Sequence, residues 1–496
     1  MTGRGSSRVV VVVGGGLAGI TAAIALREQG ADVTLLEARP RLGGATCSFT
    51  RGELVVDNGQ HVFLRCCAAY RGLLDRLGMT GAVTLQDRFD VTVLRPDPAG
   101  PPRRARLRRT SLPGPLHMGL ALSGYSHLSF SERLRVGQAA LAMKRLAPDD
   151  PALDQQRLGD WLAAHGQDEP SRRRLWDLFT VSALNIAGDD ANLALATTVV
   201  KTALLGARDA ADIGVPAIPL GDLHGQAAAD LLARLGATVR LGTKVAGVEV
   251  AAGALPGTGR MFTVRLARRA AAADGGDAAI EADGVVVAVP PEQAARLLPP
   301  AAAAPEAAWQ RLGASPILNV HVIYDRPVMS LPFAAAVDSP VQWVFDRTRQ
   351  SGLDKLSRPE RRPTADPARS GGQYLAVSVS AADEMVDVPA ARLREIFLPA
   401  LAELFAAART ARVTEFFVTR ERRATFRQVP GCEEVRPPAA TALPGLAVAG
   451  AWTDTGWPDT MEGAVRSGLN AARELRRALT APAPAVPHPA PAEASA

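Results

Sequence analysis

Lysine is nearly absent from this 496-residue chain: it occurs only at 144, 201, 244 and 355, so arginine carries most of the positive charge behind a net +6. Aromatic residues make up 5% of the sequence and do not interleave with the basic ones. With no helix-turn-helix or zinc-finger pattern either, the positive balance does not point to nucleic acid. The four cysteines, Cys47, Cys66, Cys67 and Cys432, form neither a C-x-x-C pair nor a metal spacing, and the adjacent pair makes a poor disulfide framework. A reducing cytoplasm is therefore expected. Seven scattered histidines give no support to a metal site. No segment supplies the roughly 20 apolar residues of a spanning helix. The apolar run after Arg4 and Arg8 is too rich in glycine for a signal peptide or span, and Arg27 and Glu28 follow in the same helical pattern.

What is abundant is ordinary for a soluble globular protein: 47% hydrophobic and 21% charged residues, in a chain long enough for two or three compact units. The most informative stretch is the N-terminal one. Val9 to Val13 reads as a strand feeding a turn with Gly14, Gly16 and Gly19 in G-x-G-x-x-G register, followed by an Ala-rich helix. In such a turn the first glycine permits the tight bend. The second lets the backbone approach a pyrophosphate, and the third lets helix and strand pack closely, with the phosphates at a positive helix end. A second strand, Asp32 to Leu36, ends in Glu37, an acid placed to accept hydrogen bonds from an adenosine ribose. Three glycines alone are weak in a chain with 45 of them, but the flanking strand, helix and acid strengthen the motif.

A second strong segment runs from Pro444 to Gly468 and reads as strand, loop, helix. Asp459 and Glu462 have the spacing of a D-x-x-E capping box, and Glu462 with Arg466 makes an i,i+4 pair. The helix start, with unpaired N–H groups and a positive dipole end, is suited to negative charge on the N1/O2 edge of a reduced flavin. An ordinary capped surface helix explains the same residues; the N-terminal motif tips the balance toward flavin.

Elsewhere the organisation is interleaved. Residues 83–110 read as short strands, and 130–205 as mostly helical around Trp161 and Trp176. Strand character returns at 237–250, 262–266 and 284–289. Alternating strands at 317–324, 341–345 and 374–380 precede a helix over about 390–408. The fold class expected is α/β: a Rossmann-like FAD-binding domain (8–82, 211–295 and 440–480) interleaved with an α+β substrate domain (83–210 and 296–439), and a disordered Ala/Pro-rich tail at 481–496. The basic block Arg103 to Arg109 runs into the apolar stretch Leu112 to Leu122. This suits the surface of an anionic membrane; a solvated arginine-rich loop fits it equally.

Five stretches together resemble a known family. They are Gly14 to Gly19 with Glu37; Arg41-Leu42-Gly43-Gly44; Asp57-Asn58-Gly59-Gln60-His61-Val62-Phe63; Leu112 to Leu128 with Ala211 to Pro216; and Trp457 to Ala464. The chain is similar to the hydroxysqualene dehydroxylases, squalene-associated FAD-dependent desaturases of hopanoid biosynthesis within the amine oxidase and phytoene desaturase superfamily. The resemblance implies FAD as cofactor and reductive removal of the hydroxyl of hydroxysqualene to give squalene. It also implies an isoprenoid lipid substrate drawn from a membrane that the protein touches peripherally on the cytoplasmic side.

The candidate cofactor contacts are Gly14, Gly16, Leu17, Ala18, Gly19, Glu37, Ala38, Arg41, Leu42, Gly43, Gly44, Gly59, Gln60, Val245, Gly450, Asp454, Thr460, Met461 and Glu462. His61 is the candidate proton donor, and Asp57 either shares the catalysis or fixes the turn that lays Gly59 and Gln60 against the flavin. The stretches Leu112 to Leu128 and Ile213 to Leu220 are expected either to wall an apolar tunnel or simply to pack in the core. Where the family shows Gly-Asp-Trp this chain has Gly450-Ala451-Trp452, with Asp454 as a possible substitute. Two other functions compete. One is a carotenoid desaturase or amine oxidase using FAD as electron acceptor. The other is a non-catalytic prenyl-lipid carrier like the GDP-dissociation inhibitors.

Overall fold

A computed structural model describes residues 7–251, 260–267, 278–303, 306–353 and 371–480; the expected tail at 481–496 lies outside the described residues. Five parallel strands form the first sheet, in the order Thr238–Arg240, Asp32–Leu36, Val9–Val13, Gly284–Val287, Leu446–Val448. The unbroken valine run at its centre follows from burial on both faces. Val10 and Val12 pack with Ile20 and Ile24 of the helix Leu17–Glu28 and with Leu475 of the helix Met461–Thr480. Val11 and Val13 face the opposite way, into the cluster holding Val248, Phe262 and Val264 of a three-stranded antiparallel sheet. The two helices cross where Gly468 meets the Ala18 carbonyl: a Cβ there would lie 2.3 Å from that oxygen.

The run at 237–250 divides between two sheets. Thr238–Arg240 is the edge of the parallel sheet, and Val245–Val250 opens the antiparallel one. The turn between them is tied down by Gly242 and Thr243 N–H groups donating to the Arg39 and Glu37 carbonyls. A second body is built on a seven-stranded sheet ordered Val413–Thr425, Ser315–Tyr324, Gln373–Val379, Trp343–Asp346, Phe333–Ala336, Asp90–Arg95, Arg103–Arg108. The helix Ala390–Leu404 buries Leu393, Phe397 and Leu401 against it. A helical block between residues 116 and 204 shares a hydrophobic cluster with Val91 and Val93 of this sheet. The architecture is the α/β one the sequence implies.

Candidate active site

The glycine turn is built as its spacing requires. Gly14 has φ +107°, and a Cβ on it would sit 2.3 Å from the Ala288 carbonyl oxygen. A Cβ on Gly19 would fall 1.9 Å from the Gly14 oxygen, so strand, turn and helix close on one another only without side chains. Gly16 caps the helix Leu17–Glu28 in extended conformation with no side-chain hydrogen bond. The first-turn N–H groups, including those of Leu17 and Ala18, therefore have no partner within the helix. Around Gly16 the space a Cβ would occupy is open except for Gly44, 3.9 Å away. That cradle fits a pyrophosphate.

Glu37 lies at the end of the neighbouring strand, followed by exposed Ala38. Its Oε2 accepts the Gly15 N–H at 2.6 Å and its Oε1 the Arg39 N–H at 2.8 Å. Backbone donors thus fix the orientation of the carboxyl group, whose oxygens keep further lone pairs for ribose hydroxyls. Arg41 reaches the Gly44 carbonyl at 3.3 Å, buried Leu42 packs against Gly15, and Gly43 N–H donates to the Gly15 carbonyl. Val245 is buried at the head of its strand, two residues beyond the Thr243–Glu37 hydrogen bond. The structure therefore brings residues 14–19, 37–44 and 245 together at the strand ends.

The second group converges on the start of the helix Met461–Thr480. Gly450 donates its N–H to Ser467 Oγ, and the Trp452 indole donates to the Val289 carbonyl at 3.0 Å. The helix is capped by Thr460, whose Oγ accepts the Gly463 N–H at 3.2 Å. The expected Asp459–Glu462 capping box does not form. Asp459 Oδ2 instead accepts the Phe426 N–H at 2.8 Å, and Glu462 turns away to accept the N–H groups of Ala69 and Tyr70 at 3.2 and 2.7 Å. The Glu462–Arg466 pair is present at 2.8 Å. Glu462 thus caps a different helix, Ala68–Arg76, because the two helix starts face each other. Asp454 is exposed, its carboxylate accepting the Gly456 N–H within its own turn.

Between the two groups lies the segment 57–61. Asp57 is buried and fully engaged: Ser48 Oγ and Leu220 N–H donate to one oxygen, and Arg347 pairs with the other. This arrangement anchors the turn rather than leaving a free acid. Asn319 holds that turn, its side chain accepting from Gln60 N–H at 3.4 Å and donating to the Asn58 carbonyl at 3.4 Å; a Cβ on Gly59 would sit tightly, 3.2 Å from the Asn319 amide nitrogen.

His61 Nδ1 lies 3.1 Å from the Gly59 carbonyl. A carbonyl only accepts, so Nδ1 carries the proton and the neutral ring leaves Nε2 as an acceptor. Burial pushes the His61 pKa down, so the imidazolium is the minor form at neutral pH. Asp459 is displaced the other way: burial pushes its carboxyl up to about 6. Opposed shifts of this kind mark acid and base candidates. Nearby, the Tyr70 hydroxyl and His224 Nε2 share a buried hydrogen bond of 2.7 Å.

Two contributors escaped the sequence reading. Arg436, fully buried, donates to the carbonyls of Ala451, Thr453 and Trp457 and pairs with Glu433, so one guanidinium organises the loop before the Met461 helix. In a chain this rich in arginine nothing distinguishes it. Asp459 offers in the sequence only the spacing of a cap. Among the described residues no cluster of His, Cys, Asp and Glu could hold a metal ion.

The flavin-containing amine oxidoreductase family model matches residues 17–476. The hydroxysqualene dehydroxylase of Rhodopseudomonas palustris is 29% identical, over 94% of this chain and 98% of its own. That of Sinorhizobium fredii is 27% identical, over 93% and 97%. The zeta-carotene desaturase of Arabidopsis thaliana is 24% identical, over 98% and 90%. Among solved structures, cyclohexylamine oxidase from Brevibacterium oxydans superposes with TM-score 0.66 at 19% identity, over 95% of this chain and 99% of that one. An oxidoreductase from Methanosarcina mazei gives 0.68 at 16%, over 94% and 100%.

Proposed function

Because the chain belongs to the flavin-containing amine oxidoreductase family and has FAD as its cofactor, we propose that it catalyses FAD-dependent reductive dehydroxylation of hydroxysqualene to squalene. The observation that carries this reading is end-to-end similarity to two hydroxysqualene dehydroxylases combined with a complete dinucleotide cradle at Gly14–Gly19, Glu37 and Gly43–Gly44. Residues 14–19 and 37–44 would hold the dinucleotide, and 450–464 with 59–61 would enclose the ring. When bound and reduced, FAD supplies the hydride that replaces the departing hydroxyl.

The protein's task is to let the hydroxyl leave. An allylic hydroxyl departs readily once protonated, and His61 is placed in that role: its imidazolium, destabilised by burial, is a strong acid when it forms. Asp57, held by Arg347, Ser48 and Leu220, positions the turn that carries His61.

The lipid enters from an anionic membrane surface. Leu112, Leu116 and Leu120 project into solvent, with Leu116 59% exposed. Phe130, Leu134 and Leu141 do the same on the adjoining helix Phe130–Lys144, with Phe130 75% exposed. These six are more than half of the large apolar side chains exposed among the described residues, a concentration that marks an interaction surface. The basic block beside them is largely neutralised. Arg103 pairs with Asp97, Arg106 and Arg108 with Asp90, and Arg109 is buried on Asp212. Arg104 on the same strand and Lys144 and Arg145 at the helix end supply the attraction. No described helix is long and apolar enough to cross a membrane. A Leu116→Glu/Leu134→Glu variant is expected to lose sedimentation with phosphatidylglycerol vesicles; undiminished sedimentation would remove this surface from the account.

The reaction is tested by anaerobic incubation of FAD-loaded, chemically reduced protein with hydroxysqualene in detergent, followed by mass spectrometry. Squalene forming in step with flavin reoxidation is the expected outcome. A yellow, reducible protein that yields none, but consumes phytoene or an amine with an electron acceptor, is a desaturase or amine oxidase instead.

A further inference from the structure

Cys66 and Cys67 take no part in the function proposed above, yet they sit at a structural joint. Both are free and half-buried, whereas Cys47 and Cys432 are buried. Cys67 is the N-cap of the helix Ala68–Arg76, but its side chain makes no capping hydrogen bond. The peptide that joins the pair is pinned: Cys66 N–H donates to the Ala210 carbonyl at 3.0 Å and Cys67 N–H to the Leu64 carbonyl at 2.9 Å. Two residues further on, Ala69 and Tyr70 donate to Glu462.

The backbone that carries the two neighbouring thiols is therefore held in a fixed frame. Each is the largest influence on the other's ionisation, Cys67 holding Cys66 down and Cys66 raising Cys67, so a thiolate forms preferentially at Cys66. Reactivity follows the thiolate and access, and both single out this pair over Cys432, whose burial raises its thiol strongly. A direct disulfide is disfavoured here. Consecutive Cα atoms are about 3.8 Å apart across a trans peptide, inside the roughly 4.4 Å at which disulfide-linked Cα pairs begin. A single bridging atom between the sulfurs relieves that restriction.

We propose that Cys66 and Cys67 form a bidentate modification site for soft thiophiles of the trivalent arsenical class. The chemistry is an exchange without redox change. Two As–S bonds form, the arsenic–oxygen bond of R–As=O breaks, and the oxygen leaves as water with both thiol protons, arsenic remaining trivalent. The ring so closed includes the N-cap of the helix that Glu462 binds, so the adduct strains the contact between the helix starts at 68 and 461.

Phenylarsine oxide, added to the folded FAD-loaded protein at neutral pH, is the probe, and intact-protein mass spectrometry reads the product. One phenylarsenic group per chain with loss of one water is expected, resistant to a monothiol and removed by 2,3-dimercaptopropanol. Cys66→Ser and Cys67→Ser should each lose the monothiol-resistant adduct, while Cys47→Ser and Cys432→Ser keep it. An unmodified wild type, or an adduct that persists in either single variant at 66 or 67, overturns the proposal. The dimercaptopropanol arm uses only wild-type protein, so a variant that fails to fold does not shield the idea.

Discussion

The Gly450-Ala451-Trp452 departure makes a quantitative prediction about cofactor affinity. Ala451 sits over the first turn of the helix Met461–Thr480: a methyl placed on Gly463 would lie 3.6 Å from the Ala451 side chain. A carboxylate at 451 would therefore enter the region between Gly450, Thr460 and the helix start, which encloses the cofactor in the function proposed above. Asp454 is exposed, with one carboxylate oxygen accepting the Gly456 N–H. Glu462 adds little repulsion, since Arg466 at 2.8 Å and two backbone N–H groups already compensate it. A charge-assisted hydrogen bond contributes roughly 1.5–3 kcal/mol, so Ala451→Asp is expected to tighten FAD binding by about tenfold to a hundredfold. The assay is quenching of flavin fluorescence on titrating apo-protein, with Ala451→Asn as the shape control. Asn should gain less than Asp, because it lacks the charge. Equal affinities for wild type and Ala451→Asp, or a gain in Asn matching that in Asp, would refute the reasoning.

Three further outcomes follow from the same site. If the His61 imidazolium donates the proton, kcat/KM falls as pH rises through a value below the usual histidine pKa of about 6.5; His61→Gln removes that limb and Asp459→Asn leaves it, whereas the reverse pattern moves the acid to Asp459. Asp57→Asn leaves Arg347 buried beside a neutral partner, for a loss of about 3–5 kcal/mol in urea unfolding. Adding Arg347→Met should recover part of it, and strict additivity would mean the pair is not coupled. Glu462→Ala frees the Ala69 and Tyr70 N–H groups and Arg466 together, for roughly 2–4 kcal/mol, and Glu462→Gln costs less; equal losses in calorimetry or urea would show that the charge is irrelevant.

The parallel sheet is legible because its central strands, Val9–Val13 and Gly284–Val287, are buried on both faces and read as continuous runs. The cradle was legible for a different reason: close approaches at Gly14 and Gly19 exclude every side chain, so the glycine spacing is imposed by sterics. The thirteen-residue strand Val413–Thr425 was not read. It lies at the sheet edge, keeps only Phe417 buried, and carries Glu415, Arg420, Glu421, Arg422 and Arg423, so neither alternation nor an apolar run announces it. The strand split within 237–250 escaped for want of a signal stronger than one glycine.

Glu462 shows why a correct motif still misassigns an atom. Its spacing from Asp459 and Arg466 is a local pattern, and local reasoning gave it a local partner on each side. The Arg466 half is right, because i,i+4 geometry depends on the helix alone. The Asp459 half fails because a capping box competes with any other N–H groups in reach, and those of Ala69 and Tyr70 arrive from nearly 400 residues away. Once they do, the carboxylate joins two helix starts. The cap passes to Thr460, and Asp459 is released into an environment that raises its pKa. A sequence-local acid thereby becomes a titratable group of the site, a change that only the long-range pairing of the fold produces.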